Sequence, residues 1–171
     1  KKYIIKNISR KTCDYVNDNN KILKVFKKFK PKIIINCSAM SQLEKCHNEP
    51  KKAYEINTLF PYRLSLFSKL INAILIHFST DAVFNGKKKS IYNVKDKAFP
   101  NTVYGQSKLA GEKLVSHYDK SLIVRLPLLY GKYHQRQIIG ELTKKLINGK
   151  KIFVAKDVYS TPVNSEDIAI Y

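Results

Sequence analysis

Short β-branched runs alternate along this 171-residue chain with stretches whose apolar residues recur every three or four positions. That alternation is the pattern of βαβ units, in which a parallel sheet is covered by helices on both faces. Residues 3–8 (YIIKNI) predict a strand. Residues 20–29 predict a helix with Ile22, Leu23, Val25, Phe26 and Phe29 along one side, closed by Pro31. Residues 32–39 (KIIINCSA) predict a buried strand. Pro50 then opens a long helical period through Tyr54, Ile56, Leu59, Leu64, Phe67 and Leu70, and residues 73–80 (AILIHFST) predict the next strand. A helix from about Tyr104 to His117, a strand over 121–131, a helix over 138–150 and a short strand over 151–155 complete the order. The expected fold class is α/β with a doubly wound parallel sheet.

Ligands of such sheets bind beyond the carboxyl ends of the strands. Three stretches fall there: NCSA, STD and RLPLLYG. Between the last two lies NTVYGQSKLAGEKL, which sets Tyr104 four positions before Lys108 at a helix start. A Tyr-x-x-x-Lys match alone is weak, since a chain with this many tyrosines and lysines yields roughly two by chance. Its place between two candidate ligand loops is what distinguishes this pair.

Composition changes the picture only by exclusion. At 44% hydrophobic the chain can bury one substantial core. It holds no run of eighteen apolar residues and opens on no signal segment, so a cytoplasmic protein with no membrane partner is expected. The net charge of +19 raises the question of nucleic acid. Yet the lysines are scattered, the arginines number four, and no basic-aromatic recognition motif appears, so no nucleic-acid partner is expected. Cys13, Cys37 and Cys46 lack metal-site spacing and are expected as buried or half-buried thiols. No metal is expected, and His77, inside an apolar strand, reads as a core residue.

The segments KPKIIINCSAMSQLEKCHNEPKKAYEIN, HFSTDAVFNG, VYGQSKLAGEKL, IVRLPLLYG and DVYSTPVNSEDIA together resemble the extended short-chain dehydrogenase/reductase family, most closely its dTDP-4-dehydrorhamnose reductases. In that family a threonine of the Ser-Thr-Asp turn precedes the catalytic tyrosine by 24 positions, as Thr80 precedes Tyr104 here. The resemblance implies a Rossmann-like domain that reduces a nucleotide-linked 4-keto-6-deoxy sugar with NADPH, NADH being possible. It implies that Thr80, Tyr104 and Lys108 are catalytic. Thr80 would align the substrate oxygen, Tyr104 would be the proton donor, and Lys108 would favour its phenolate and grip the nicotinamide ribose. Cys37, Ser38 and Ala39 would run along the cofactor, with Pro127 and Leu128 near its carboxamide. Arg10, in a Ser9-Arg10-Lys11 stretch without an acid, would meet a 2′-phosphate. A homodimer through the two long helices is also implied.

Each of these residues also has a plainer reading. Tyr104 and Lys108 could start an amphipathic helix, Thr80 could cap a turn with Asp81, and residues 37–39 could be small for close packing.

The family's glycine-rich phosphate loop is not found: none of the six glycines forms Gly-x-x-Gly-x-x-Gly. The expectation is therefore a fragment of such a domain over 1–171, lacking the N-terminal strand and that loop, with 132–171 leading into a truncated substrate-binding lobe. Ala82 stands where rhamnose-forming members carry tyrosine, and Leu128 where they carry tryptophan. The RLPLLYG form is similar as well to the methionine adenosyltransferase β subunit. The alternative function is accordingly a non-catalytic dinucleotide-binding regulatory subunit.

Overall fold

A computed structural model describes residues 3–9, 18–131, 138–153, 156 and 160–170. It divides into two compact units, Lys1–Arg125 and Leu126–Tyr171, each described by itself.

The first helix, α1 (Asn19–Phe29), begins where the Asp18 carboxylate accepts the Lys21 N–H at 3.0 Å. It ends at Lys30, whose left-handed backbone (φ 47°) precedes Pro31. Only Ile22 and Phe26 of its apolar side are buried, and Phe29 is exposed. Strand β1 (Ile33–Asn36) runs parallel to β2 (Ile74–Thr80), pairing Ile33 with Ile74 and Asn36 with His77. On the other side of β2 lies β3 (Ser121–Leu126).

The crossover from β1 to β2 passes through α2 (Leu43–Asn48), α3 (Pro50–Tyr54), one π-helical stretch (Glu55–Leu59) and α4 (Phe60–Leu70). The crossover from β2 to β3 carries α5 (Val103–Val115). Ile22, Phe26, Ile34, Phe60, Leu64, Leu75, Val115 and Tyr118 form the main core between these helices and one sheet face. Removing apolar surface from water is the dominant driving force for that arrangement.

Several expectations need correction. Residues 3–9 form no strand, and Tyr3, Ile4 and Ile5 stand in solvent. A strand exists through its ladder, and this segment pairs with none of the described strands. Residues 151–153 form no strand either, for the same reason, and Phe153 is exposed. Strand β1 is buried on one face only: Ile34 is covered, whereas Ile33 and Ile35 are 50% and 57% exposed, because the helices contact the opposite face. Cys37 continues that outward side and is exposed, while Cys46 is buried. Arg10 and Cys13 lie outside the described residues.

The strand expected over 121–131 breaks at Pro127, which has no N–H to give a ladder. In the second unit, β4 (Leu129–Tyr130) pairs in parallel with β5 (Val163–Asn164). That unit also holds α6 (Ile138–Ile147) and the short α7 (Ser165–Ile168), whose Glu166 N–H is accepted by Asn164.

Candidate active site

At the carboxyl ends of β1 and β2 the sheet turns polar. The Asn36 carbonyl oxygen accepts the Ser38 N–H at 3.0 Å, so its amide nitrogen faces His77 Nδ1, also at 3.0 Å. That nitrogen must therefore accept, and the ring carries its proton on Nε2. Burial first, and the Lys108 charge second, lower the His77 pKa to about 3, which leaves the ring neutral. His77 is a core residue as expected, but among the described residues its Nε2 has no hydrogen-bond partner, nor do the hydroxyls of Ser38 and Ser79.

Thr80 ends β2 and does what the plainer reading required. Its hydroxyl accepts the Ala82 N–H at 3.1 Å and donates to Asp81 Oδ1 at 3.2 Å, opening a short 3₁₀ turn, Asp81–Val83. It also lies near enough to Tyr104 to favour the phenolate of that residue. The two meet because α5 presses its first turn onto this loop. A Cβ on Gly105 would collide with the Ala82 carbonyl oxygen and come within 2.8 Å of Pro100 Cβ, so only glycine permits the approach. Thr102 caps the helix by accepting the Gly105 N–H at 3.1 Å. Tyr104 packs against the second apolar cluster, Met40, Cys46, Ala53 and Ile56.

Lys108 follows one turn later on the buried side of α5, with 1% of its surface exposed. Its ammonium donates to the Phe78 carbonyl oxygen at 2.6 Å. Burial lowers its pKa to about 8, against an opposing pull from Glu112. Burial pushes the Tyr104 phenol above its ordinary value, and Thr80 offsets this only in part. The expected stabilisation of a phenolate by Lys108 is not among the causes that act on Tyr104, and burial dominates.

Sequence reasoning missed the residues that hold these three in place. The Asn57 side chain, fully buried, accepts from Met40 N at 2.9 Å, donates to Met40 O at 3.0 Å and donates to Ser107 Oγ at 3.0 Å. Thr58 donates to the Ser107 carbonyl at 2.7 Å, and Gly111 lies so close to the Asn57 carbonyl that a Cβ would collide with it. Two polar residues in an apolar helical period were the available signal. Glu112 and Arg125 were missed too. Arg125 donates from Nε to both carboxylate oxygens (3.0 and 3.2 Å) and from Nη2 to Oε2 at 2.7 Å. Its guanidinium stands 5.1 Å from the Phe84 ring centroid, and Phe84 stacks on Tyr92 at 4.4 Å. The signal here was Glu112 one turn beyond Lys108.

The structure therefore sets the first turn of α5, with Tyr104, against the Thr80 turn, and places Lys108 one turn on, bonded to the Phe78 carbonyl of β2. Ser38 and Ala39 are half-buried on the turn after β1, beside the exposed Cys37. Pro127 and Leu128 belong to the second unit. Among the described residues there is no cluster of three metal-ligating side chains, and no helix is long and apolar enough to cross a membrane.

Comparison with known proteins gives a consistent picture. A family model described as the RmlD substrate binding domain matches residues 2–171. The spore coat polysaccharide biosynthesis protein SpsK of Bacillus subtilis (strain 168) is 35% identical over 156 residues, covering 90% of this chain and 54% of that protein. The dTDP-4-dehydrorhamnose reductase of Aggregatibacter actinomycetemcomitans is 30% identical over 155 residues, covering 90% and 52%. The crystal structure of dTDP-4-dehydrorhamnose reductase from Bacillus anthracis str. Ames in complex with NADP superposes with a TM-score of 0.90 at 30% identity, covering 98% of this chain and 60% of that one. The chain spans about half the length of the curated relatives it matches. With its polar strand ends, its Thr80–Tyr104–Lys108 cluster and a family match along nearly its whole length, the chain belongs to the RmlD substrate binding domain family of extended short-chain dehydrogenases/reductases.

Proposed function

We propose that this protein reduces a nucleotide-linked 4-keto-6-deoxy sugar with NADPH, in the manner of a dTDP-4-dehydrorhamnose reductase. The observation that carries the reading is the gathering of Thr80, a protonated Tyr104 and a buried Lys108 at the end of β2. The residues present suit the ribose end of a dinucleotide. Lys108 uses one of its three N–H groups on Phe78, leaving two for ribose hydroxyls, and Ser38 offers an unpartnered hydroxyl at the end of β1. The pyrophosphate end finds no glycine-rich turn in the sequence, so no residue is assigned to it. The bound dinucleotide supplies the hydride.

The chain's own part is proton delivery and orientation. Thr80 would hold the ketone oxygen by turning its hydroxyl proton from Asp81 to that oxygen, fixing its distance from the phenol. Tyr104 gives its proton to that oxygen as negative charge develops there. Burial keeps the phenol protonated at neutral pH but makes it a weaker acid, so the transfer depends on stabilising the phenolate as it forms. The phenolate left behind is stabilised by Lys108 one turn away and by Thr80. NADPH is the preferred cofactor. Arg10 supports this, with no acid at positions 9–11 to repel a 2′-phosphate, and so does the NADP complex of the Bacillus anthracis relative. The protein acts as a homodimer through the outward faces of α4 and α5, where Leu59, Leu66 and Leu70 at and beyond the start of α4 are exposed.

The test is NADPH consumption by the whole encoded protein on addition of the dTDP-linked 4-keto-6-deoxy sugar. Turnover to the alcohol is expected. Tight dinucleotide binding with no turnover would overturn the reductase and leave a regulatory binding subunit.

A further inference from the structure

Lys108 is a charged side chain with almost no access to water, and a buried ammonium needs a counter-charge or it gives up its proton. Its one hydrogen-bond partner, the Phe78 carbonyl, is neutral. The carboxylate that bears on it is Glu112, one helical turn on, within the face of α5 that buries Gly105, Lys108, Glu112 and Val115. Glu112 does not turn to Lys108. Its two oxygens are both taken by the Arg125 fork from β3, and Arg125 is itself laid over Phe84.

We propose that Glu112 and Arg125 are positioning residues that together set the charge of Lys108, Glu112 holding the ammonium protonated and Arg125 limiting how strongly it does so. This rests on the reading of Lys108 as a residue of the reductase site. Three charges lie in sequence, Lys108 positive, Glu112 negative and Arg125 positive, and the carboxylate between the cations serves both. The clamp fixes the carboxylate against rotation toward the solvent. It also draws part of the field that Lys108 would otherwise feel, so that the lowering of the lysine's pKa by burial is only partly opposed.

Other ionisable groups on elements packed against α5 do not replace this pair. His77 of β2 is neutral. Asp81 of the 3₁₀ turn and Cys46 of α2 bear on Tyr104 rather than on Lys108. Glu55 and Arg63 are half-buried on the crossover helices, and the lysines of α2 and α3 are exposed.

The arrangement makes two substitutions act in opposite directions, which a merely structural ion pair would not do. The lysine side chains are labelled with ¹³C and titrated by NMR in the ligand-free protein, the Lys108 signal being identified by its loss in Lys108→Met. Glu112→Gln is expected to lower the Lys108 midpoint by about one unit or more, and Arg125→Met to raise it by about half a unit. If Glu112→Gln does not fold, Glu112→Gln/Arg125→Met removes both charges at once. It should still lower the midpoint, because of the two charges it is the carboxylate that bears on Lys108. Shifts of the same sign in the Gln-bearing variant and in Arg125→Met, or no shift in either, would overturn the proposal. Because the readout is the titration of Lys108 itself, it stands apart from the NADPH assay: absent turnover leaves these shifts unchanged, and absent shifts leave turnover to decide the reductase.

Discussion

Three side chains at the end of β2 differ in how they meet the cost of burial. Thr80 satisfies its hydroxyl within its own turn. Lys108 takes a carbonyl and a carboxylate's field. His77 stays neutral and leaves one N–H without a partner. The last of these has a consequence for stability. The native His77 pKa of about 3 lies below the ordinary 6.5. Below pH 6.5 the unfolded chain therefore binds a proton that the native state refuses, and stability falls as pH drops toward 3. Replacing His77 with glutamine removes that contribution. Urea unfolding at pH 7 and pH 4 should show the wild-type advantage over His77→Gln shrinking on acidification; an unchanged gap would mean that the ring is not neutral in the fold.

At the scale of elements, the site depends on how closely α5 approaches two other segments. Gly105 admits the Ala82 carbonyl and Gly111 admits the Asn57 carbonyl, so the helix touches backbone at both places. Gly105→Ala forces the first turn of α5 away from the Thr80 turn. It is expected to destabilise the fold by about 1–3 kcal/mol, the usual cost of overpacking, and to lower activity beyond that by parting Thr80 from Tyr104. Thermal unfolding and turnover measured together check this, and an alanine variant equal to wild type in both would contradict the close approach.

The helices and strands next to the site were legible because their apolar periods are long and some ends are marked, α1 by Pro31 and β2 by its β-branched run; the caps Asp18 and Thr102 were not read from the sequence. The Tyr104–Lys108 pair was visible as a spacing at a helix start, whereas Thr80 and the roles of all three came from the family resemblance. Residues 3–8 and 151–153 were misread because β-branched composition says nothing about whether a neighbour exists to complete a ladder. The crossover helix was misread in its buried face. Tyr54, Leu59 and Leu70 are exposed, while Asn57, Thr58, Ser65 and Ser68 are buried, because small and hydrogen-bonding side chains are what a close contact with α5 requires. No apolar period reports that.

For the whole molecule, the net charge of +19 suits an anionic substrate, which a positive field draws in faster at low salt. The exposed leucines of the crossover helix, Leu59, Leu66 and Leu70, are the apolar part of the proposed dimer contact. Light scattering of the whole protein at micromolar concentration should give twice the monomer mass, and a monomer would rule the contact out.

The central claim, that Tyr104 is the proton donor of a ketone reduction, is tested most directly by single-turnover reduction with Tyr104→Phe in the whole protein, with NADPH affinity measured alongside. The ring is retained and only the hydroxyl is lost. Reduction should slow by about 100-fold or more, the scale of a positioned general acid, while the NADPH dissociation constant stays near that of wild type. Reduction at the wild-type rate would contradict the account.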